Sequence, residues 1–314
     1  MKRILITGIS GFVGTNLTKY LESLKEFKVI GHSRNPESAR LLLGKIDFIP
    51  NISAITLDRY MIDTVIHLAG IAHDLSGKYT KEDYLNVNYE FTKEVFDCVH
   101  NSKVSSFIYV SSVKAIADET NLIIDENFVP IPQSDYGLSK RMSEEYLINN
   151  RKQHKKIYIL RPCMIHGPGN KGNLNTLYKF VKRGIPYPLA AFDNRRSFLS
   201  IDNFCFVIDY ILNNRLASGS YLLADSEAIS TRELVRLIGE TQGKKVYQLK
   251  LPKILIKGFA KIGTRLGSSL NSKTLGKLVG NLQVSNQKLL SNMGTELPLT
   301  TAEGLKKTIR SFNE

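Results

Sequence analysis

The chain has 314 residues, of which 42% are apolar, and a formal net charge of +14. This length allows two ordinary domains or one large α/β domain with an appendage, and the apolar content is that of a globular protein with ample material for a core. No apolar run approaches the roughly 18–20 residues of a membrane span, and the first residues lack the apolar stretch of a signal peptide.

Three cysteines, Cys98, Cys163 and Cys205, are odd in number and far apart in the sequence. This pattern predicts neither a disulfide framework nor a zinc site. We therefore expect no bound metal, and we expect the protein to work in the reducing environment of the cytoplasm.

Positive charge is concentrated between residues 244 and 310, where thirteen lysines and arginines face two acids, Glu296 and Glu303. The excess of +11 is compatible with an anionic partner, which could be nucleic acid, a membrane surface or a diphosphate substrate, or with a solvated basic face. Aromatic residues do not alternate with the basic ones as a single-strand binder requires. We therefore expect no nucleic-acid partner.

The N-terminal stretch KRILITGISGFVGTNL joins a short apolar strand to a glycine-rich turn and a helix-like segment. Gly8 permits a tight turn, Gly11 lets the backbone approach a pyrophosphate, and Gly14 allows the helix to pack closely on the strand. The amides at a helix N-terminus attract phosphate groups. The stretch predicts a dinucleotide site, and the alternative is a glycine turn without a ligand.

Strand-like and helix-like segments then alternate as far as residue 162, which predicts right-handed crossovers and an α/β fold with a Rossmann-like, doubly wound parallel sheet. We expect a dinucleotide-binding domain of residues 1–168, to which 196–224 return, and a smaller, partly interleaved substrate domain of 169–195 and 225–314. The later predicted elements are a strand at 195–202 and helices at 175–183, 203–213, 231–241, 252–266 and 301–312, the last with Thr301 as its N-cap.

The spacing G-x-x-G-x-x-G, with Phe12 at its fifth position, resembles the turn of the extended short-chain dehydrogenases/reductases of the NAD-dependent epimerase/dehydratase family, which act on nucleotide sugars. Later motifs agree: HLAG at 67–70 resembles the turn beside the pyrophosphate, and NVNYEFT resembles the helix whose Asn braces the sheet. The resemblance implies cofactor contacts at Gly8, Gly11, Phe12, Val13, Gly14, Asn51, Ile52, Leu68, Ala69, Gly70, Asn88, Tyr136, Lys140 and Pro162.

The dinucleotide fingerprint requires an acid near the end of the second strand to hold the ribose hydroxyls. This chain has Ser33 and Arg34 instead. A hydroxyl followed by a guanidinium suits a ribose 2′-phosphate, because Arg pairs with phosphate through two hydrogen bonds. We therefore favour NADP(H) over NAD(H), the alternative being that Arg34 is an exposed loop residue.

Three Tyr-x-x-x-Lys pairs occur, at 89/93, 136/140 and 178/182, but only Tyr136 lies between two predicted strands and opens a helix. The segment SDYGLSK resembles the catalytic helix of the family, and Ser112 of YVSSVKA takes the place of the catalytic Ser or Thr. The resemblance implies that Tyr136 exchanges the proton of the sugar hydroxyl, Lys140 favours the phenolate and holds the nicotinamide ribose, and Ser112 binds the sugar oxygen. A Tyr pKa near 7 requires a shift of about three units, or about 4 kcal/mol.

Family members that eliminate water carry Asp-Glu directly after the catalytic residue, whereas this chain has Val113 and Lys114. The resemblance therefore favours oxidation or reduction at sugar C4 without dehydration. It also implies a UDP-sugar substrate, with its diphosphate on Arg196 and its nucleotide loop at Asn173, and it places His166 in the turn bordering nicotinamide and substrate.

We expect an NAD(P)-dependent oxidoreductase acting at C4 of a UDP-hexose, favoured as a UDP-4-keto-6-deoxy-HexNAc 4-reductase in surface-polysaccharide synthesis. The alternatives are a UDP-glucose or UDP-GlcNAc 4-epimerase with tightly bound NAD, and a non-catalytic nucleotide-sensing regulator or scaffold. By analogy with the family, we expect a homodimer through helices 82–101 and 136–153. The basic amphipathic helix at 252–266 either touches an anionic membrane peripherally or packs on the core with a solvated basic face.

Overall fold

The computed structural model describes residues 1–71, 78–170, 172–265 and 272–312. Its strands are β1 (Lys2–Thr7), β2 (Phe27–His32), β3 (Asp47–Phe48), β4 (Thr64–His67), β5 (Ser106–Val110), β6 (Ile123–Ile124), β7 (Lys156–Pro162), β8 (Met164–His166), β9 (Phe198–Ser200), β10 (Gly219–Leu223) and β11 (Gln283–Val284).

The helices alternate with these strands in the first half of the chain and dominate the second half. They are α1 (Phe12–Leu24), α2 (Pro36–Leu43), α3 (Ala54–Arg59), α4 (Lys81–Tyr84), α5 (Phe91–His100), α6 (Asp135–Asn149), α7 (Asn173–Lys182), α8 (Ile201–Leu212), α9 (Thr231–Thr241), α10 (Lys253–Arg265), α11 (Ser272–Val279), α12 (Gln287–Met293) and α13 (Thr301–Arg310), with a π-helical segment at Leu85–Glu90 and a 3-10 turn at Val113–Ala115.

Seven strands form one parallel sheet in the order β10-β7-β5-β4-β1-β2-β3. From β1 the chain moves outward through β2 and β3, and from β4 it moves the opposite way through β5, β7 and β10. The direction therefore reverses between β1 and β4, and the crevice at the carboxyl ends of these two strands is where sheets of this kind bind ligands. The predicted Rossmann-like parallel sheet is confirmed.

Helices cover both faces of the sheet, which explains why its central strands are continuous apolar runs. Alternate residues of β1 point to opposite faces: Ile4 and Ile6 join a core cluster with α1 and α8, whereas Leu5 joins a second cluster with α5. A separate apolar cluster lies among α7, α9, α10 and α13, in the region predicted to hold the substrate. The division into a cofactor domain and a substrate domain stays a prediction.

Several predicted boundaries are wrong for reasons of packing. The strand expected at 195–202 is limited to β9, because Ser200 caps α8 by accepting from the amide of Asn203. Thr300 and not Thr301 caps α13, since Thr300 and Glu303 form the reciprocal capping box. Strand β10 was not predicted, and the helix expected at 82–101 contains the π-helical segment.

Helix α10 follows the predicted segment closely, although the expected end at Leu266 lies outside the described residues. Within the described part of the chain, no helix is both long and apolar enough to cross a bilayer.

A buried ion pair joins α6 to the end of β7. The Arg161 guanidinium donates to both carboxylate oxygens of Glu144 through its Nε at 3.0 Å and its Nη2 at 2.8 Å, and both side chains are almost fully buried. The pair fixes the helix that carries Tyr136 and Lys140 against the sheet.

Glu144→Gln should lower the free energy of unfolding by about 3–5 kcal/mol, because it leaves the buried Arg161 charge without a counter-charge. The matched control is Glu145→Gln, which breaks the exposed pair with Arg141 (2.7 Å) on the same helix and should cost less than about 1 kcal/mol. Urea unfolding of both variants measures the difference, and equal losses would show that the buried pair has no special role.

Candidate active site

The glycine turn between β1 and α1 is shaped by close backbone contacts. Gly8 has a φ of +67°, and a Cβ on it would lie 2.7 Å from the Ala69 amide nitrogen. A Cβ on Gly14 would lie 2.5 Å from the Gly8 carbonyl oxygen. Gly11 is the N-cap of α1 and no side chain accepts hydrogen bonds from the amides of the first turn. This geometry suits a phosphate group.

The residues after β4 form the wall opposite this turn. Gly70 leaves room for two side chains: a Cβ on it would lie 2.8 Å from Asn88 Oδ1 and 3.4 Å from Lys140 Nζ. The Asn88 amide accepts from the Ile71 amide (2.8 Å) and donates to the Ile71 carbonyl (3.1 Å) and to Ser139 Oγ (3.1 Å). Asn88 therefore ties the end of β4 to α6.

Asn88 owes its position to the π-helical segment. Its carbonyl accepts hydrogen bonds from the hydroxyls of Thr92 (2.6 Å) and Ser143 (2.8 Å), and Ser143 lies on the neighbouring helix α6. Single π-helical turns are frequent at functional sites. Here the altered register places the Asn88 side chain, which is fully buried, against the end of the sheet.

His67 is a buried residue of β4. Its ring nitrogens share hydrogen bonds with the hydroxyls of Thr7 (2.8 Å) and Thr92 (3.0 Å). Burial lowers the pKa of His67 to about 3, and the nearby charge of Lys140 contributes to this shift. His67 is therefore neutral at physiological pH and serves as a hydrogen-bonding strut.

Ser112, Tyr136 and Lys140 meet at the carboxyl end of β5. Ser112 begins the 3-10 turn by accepting from the Lys114 amide at 3.2 Å, and its hydroxyl is hydrogen-bonded to the Tyr136 side chain. Lys140 Nζ donates to the Val110 carbonyl at 3.1 Å. Tyr136 and Lys140 share a face of α6 because they are four residues apart.

Burial dominates the ionisation of Tyr136 and Lys140. It raises the pKa of Tyr136 to about 12, although the hydrogen bond from Ser112 opposes this change. Burial lowers the pKa of Lys140 to about 8, and the charge of Glu144 opposes that shift. Ionising a phenol of pKa 12 at pH 7 costs about 7 kcal/mol, so a working phenolate requires an additional positive charge beside the ring.

The two arginines of the NRRSF segment face different ways. Arg195 is exposed and pairs with Glu233 at 3.4 Å. The Arg196 backbone exchanges hydrogen bonds with Ile229 (3.1 and 2.9 Å), and its half-buried guanidinium lies near Glu119 and Cys163. Burial lowers the pKa of Arg196, while Glu119 and Cys163 oppose this change. Arg196 is therefore the inward-facing member of the pair.

Residues 4–224 match the NAD dependent epimerase/dehydratase family. The chain is also 31% identical to a UDP-glucose 4-epimerase of Vibrio cholerae, over 99% of this chain and 95% of that protein. The chain belongs to the NAD dependent epimerase/dehydratase family. It is accordingly an enzyme of the short-chain dehydrogenase/reductase type, and the family predicted from its motifs is confirmed.

Two further comparisons extend over nearly the whole of this epimerase/dehydratase family member. It is 27% identical to the N-acetyl-alpha-D-glucosaminyl-diphospho-ditrans,octacis-undecaprenol 4-epimerase of Escherichia coli O157:H7, over 98% of this chain and 94% of that protein. The fold matches the Bordetella bronchiseptica enzyme WbmG in complex with NAD and UDP, with a TM-score of 0.77 and 17% identity over 99% of this chain and 94% of that one.

The residues of this family member fit a dinucleotide at the crevice. The tight turn at Gly8 and the absence of a side-chain cap at the start of α1 leave backbone amides that suit a pyrophosphate. Among the described residues, no group of three His, Cys, Asp or Glu side chains is arranged to hold a metal ion.

The loops after β2 and β3 contain the residues predicted to hold the adenosine. Ser33 accepts from the Asn35 amide (3.2 Å), and the exposed Arg34 lines a groove beside Phe48. Asn51 accepts from the Thr56 hydroxyl (2.7 Å) and is exposed, whereas the neighbouring Ile52 packs on the core. Pro162 ends β7. Phe12, Val13 and Leu68 pack against the core cluster that contains residues of α1 and α8.

On the substrate side, the expectation for His166 needs correction, that for Asn173 is not tested, and one neighbour of Arg196 was not predicted. His166 is fully buried and shares a hydrogen bond with Thr308 (2.8 Å), so it does not border a substrate. Asn173 begins α7, but its side chain lies outside what the structure describes. Glu119, beside Arg196 and against Gly280, was missed because no local motif marks it.

The two positions after Ser112 lack an acid, as the sequence indicated. Val113 is buried in an apolar cluster. Lys114 Nζ pairs with Asp118 at 3.0 Å, and Asp118 also accepts from the amides of Gln133 and Ser134. This acid is therefore committed to holding the loop before α6.

The buried Lys140 should make stability depend on pH in a specific direction. Because its pKa is lower in the folded state (about 8) than in the unfolded state (about 10.5), the unfolded chain binds more protons between these values. Relative to Lys140→Met, the wild-type free energy of unfolding should therefore rise by about 2.5 kcal/mol from pH 7 to pH 10. Urea unfolding at intermediate pH values tests this, and parallel pH profiles would contradict it.

Proposed function

We propose that this enzyme acts at C4 of a UDP-hexose, and that it works as a UDP-hexose 4-epimerase with NAD. The observation that carries the proposal is the convergence of Ser112, Tyr136 and Lys140 at the carboxyl end of β5, opposite the glycine turn. The 31% identity to a UDP-glucose 4-epimerase, over almost the full length of both chains, supports this choice of reaction.

Each side chain has a defined task in this scheme. Ser112 accepts or donates a hydrogen bond at the C4 oxygen and fixes its distance from Tyr136. The Tyr136 phenolate takes the hydroxyl proton as C4 is oxidised and returns it when C4 is reduced. Bound NAD would supply the hydride acceptor and the positive charge that the raised pKa of Tyr136 requires.

Lys140 supplies a second positive charge for the Tyr136 phenolate, with a weaker effect than the charge of NAD. Its ammonium is anchored on the Val110 carbonyl and lies within reach of a ribose placed against Gly70. A Lys with a pKa of about 8 is still mostly charged at pH 7, so it favours the phenolate electrostatically.

Arg196 is the proposed diphosphate clamp. In an epimerase the oxidised sugar must turn over before it is reduced from the opposite face, while the nucleotide stays bound. The backbone of Arg196 is fixed by its two hydrogen bonds with Ile229. Its guanidinium suits that task because it can hold a diphosphate through directed hydrogen bonds. Asn173, at the start of α7, is proposed to contact the nucleotide.

The absence of an acid at Val113 and Lys114 argues against dehydration. A 4,6-dehydratase requires a proton donor and a base near C5 and C6. Lys114 is paired with Asp118 instead, so the residues at these positions support redox chemistry at C4 alone.

A second candidate is an NADP(H)-dependent 4-reductase for a UDP-4-keto-6-deoxy-HexNAc. It is favoured by Ser33 and the exposed Arg34, which occupy the place of the ribose-binding acid. The same three catalytic groups would then protonate the C4 oxygen once, and NADPH would be consumed. The cofactor assignment and the homodimer through α5 and α6 remain proposals.

The first test uses purified enzyme with UDP-glucose and UDP-GlcNAc, without added cofactor, and NMR of the products. We expect the C4 epimer to appear, since an epimerase regenerates its cofactor in each cycle. If no epimer forms while NADPH is oxidised with a UDP-4-keto-6-deoxy-HexNAc, the 4-reductase is correct. Cofactor binding without turnover of any UDP-sugar would favour a nucleotide-sensing regulator.

Tyr136→Phe should lower kcat by about 10²–10⁴, because the proton acceptor is removed while the ring is kept. Tyr89→Phe is the matched control, since Tyr89 belongs to another Tyr-x-x-x-Lys pair and packs on Tyr146 away from the site. An unchanged kcat in Tyr136→Phe would overturn the proposed mechanism.

Arg34→Ala distinguishes the two cofactors. If Arg34 binds a 2′-phosphate, the Kd of NADPH should rise at least about tenfold while the Kd of NADH stays constant, because a charged hydrogen bond contributes about 1.5–3 kcal/mol. Arg40→Ala is the control, since its guanidinium stacks on Phe48 in the same groove at 5.3 Å. Equal affinities for NADPH in wild type and Arg34→Ala would remove the case for NADP(H).

A further inference from the structure

Large apolar side chains are exposed along α10 and the segment before it. On the helix, Ile254 is 83% exposed, Leu255 56%, Phe259 65% and Ile262 53%. Isolated exposed apolar residues are ordinary, whereas a contiguous group marks an interaction site.

The helix does not need these side chains for its own packing. Ile256, Ala260 and Gly263 are the buried positions of α10, and their spacing of four and three forms the stripe that meets the core. Leu255, Phe259 and Ile262 have the same spacing one residue out of phase, and they form a second, outward stripe.

The extended segment directly before α10 also exposes large apolar side chains. Leu249 exchanges backbone hydrogen bonds with Tyr187 and Ala190, so its neighbours alternate between two faces. Tyr247, Leu249 and Leu251 share the exposed face. We call the combined area the α10 surface; its members are Tyr247, Leu249, Leu251, Ile254, Leu255, Phe259 and Ile262.

A line of positive charge borders the α10 surface. Lys253, Lys257, Lys261 and Arg265 recur every four residues and lie on the other flank of the helix. Between residues 244 and 265 the sequence has seven lysines and arginines and no acid. An apolar stripe beside a row of cations is the pattern of a helix that lies in a bilayer interface.

We propose that the α10 surface docks this enzyme on an anionic lipid bilayer, with the apolar stripe in the headgroup region and the lysines on the phosphates. Charge decides between this occupant and a second copy of the chain. Two α10 surfaces facing each other would bring two rows of four cations together, which costs free energy. An anionic leaflet instead attracts each lysine by about 1 kcal/mol.

The docked helix lies next to the substrate half of the enzyme. Lys253 Nζ sits over the Phe192 ring at 5.7 Å, and Phe192 is four residues before Arg196. Docking would therefore hold the proposed substrate side close to the lipid surface. The proposal does not require the 4-epimerase assignment, because lipid binding is measured without substrate.

The sequence has no tryptophan, so an introduced tryptophan reports on its own position alone and can test lipid binding there. Phe259→Trp places a single fluorophore on the α10 surface, and Leu122→Trp places one at an exposed apolar position elsewhere. The probe is a vesicle of phosphatidylcholine with phosphatidylglycerol, compared with phosphatidylcholine alone. We expect a blue shift for Phe259→Trp with the anionic vesicles at about 0.1 M salt, its loss at about 1 M salt, and no shift for Leu122→Trp.

Sedimentation with the same vesicles measures the binding affinity. Lys257→Gln combined with Lys261→Gln should weaken binding about thirtyfold, whereas Lys45→Gln, at a distant exposed position, should leave it unchanged. Activity on a UDP-sugar in solution should persist in every variant, which separates this proposal from the proposed function. The proposal is wrong if the wild-type protein does not bind the anionic vesicles at low salt. It is also wrong if the wild-type protein is a dimer that does not bind vesicles and Phe259→Ser makes it a monomer, because the α10 surface would then be a dimer interface.

Discussion

The site depends on keeping one cation, Lys140, in a place where water does not reach it. Its ammonium is held by the carbonyl of Val110 and is close to Gly70, which has no side chain in the way. Desolvation makes such a charge costly, so the surrounding structure must be rigid enough to prevent its escape to solvent. That rigidity comes from Asn88, which binds the ends of β4 and α6 together, and from the buried Glu144, whose charge partly compensates for the lost water.

Desolvation raises the pKa of Tyr136 and lowers the pKa of Lys140. It disfavours the phenolate of Tyr136 and the ammonium of Lys140, so neither group is tuned for catalysis by the chain alone. A dinucleotide with a cationic ring would reverse the balance at Tyr136. Under the proposed mechanism, this arrangement would couple the chemistry to cofactor binding, since the phenol would ionise only with the cofactor bound.

Features that depend on local spacing were predictable from the sequence. The strand, glycine turn and helix at the N-terminus were assigned correctly because each glycine has a local steric reason, and the helix of Tyr136 and Lys140 was assigned from its place between strands. Features that depend on distant contacts were missed. Strand β10 is held by pairing with β7, and Arg196 is oriented by Ile229 and Leu282. The π-helical segment at Asn88 follows from contacts with α6. The roles of the site residues stay predictions.

The burial of His166 has a consequence for the order in which the protein matures during synthesis. His166 is the last residue of β8, close behind the end of β7 in the sequence. Its ring is nevertheless enclosed by Thr308 and Gly304 of α13. A ribosome adds residues from the N-terminus at a limited rate, so about 140 further residues must emerge before that enclosure can form. The sheet strands up to β7 can therefore pair before β10, α12 and α13 have been made, while the enclosure of His166 forms only after α13 has emerged.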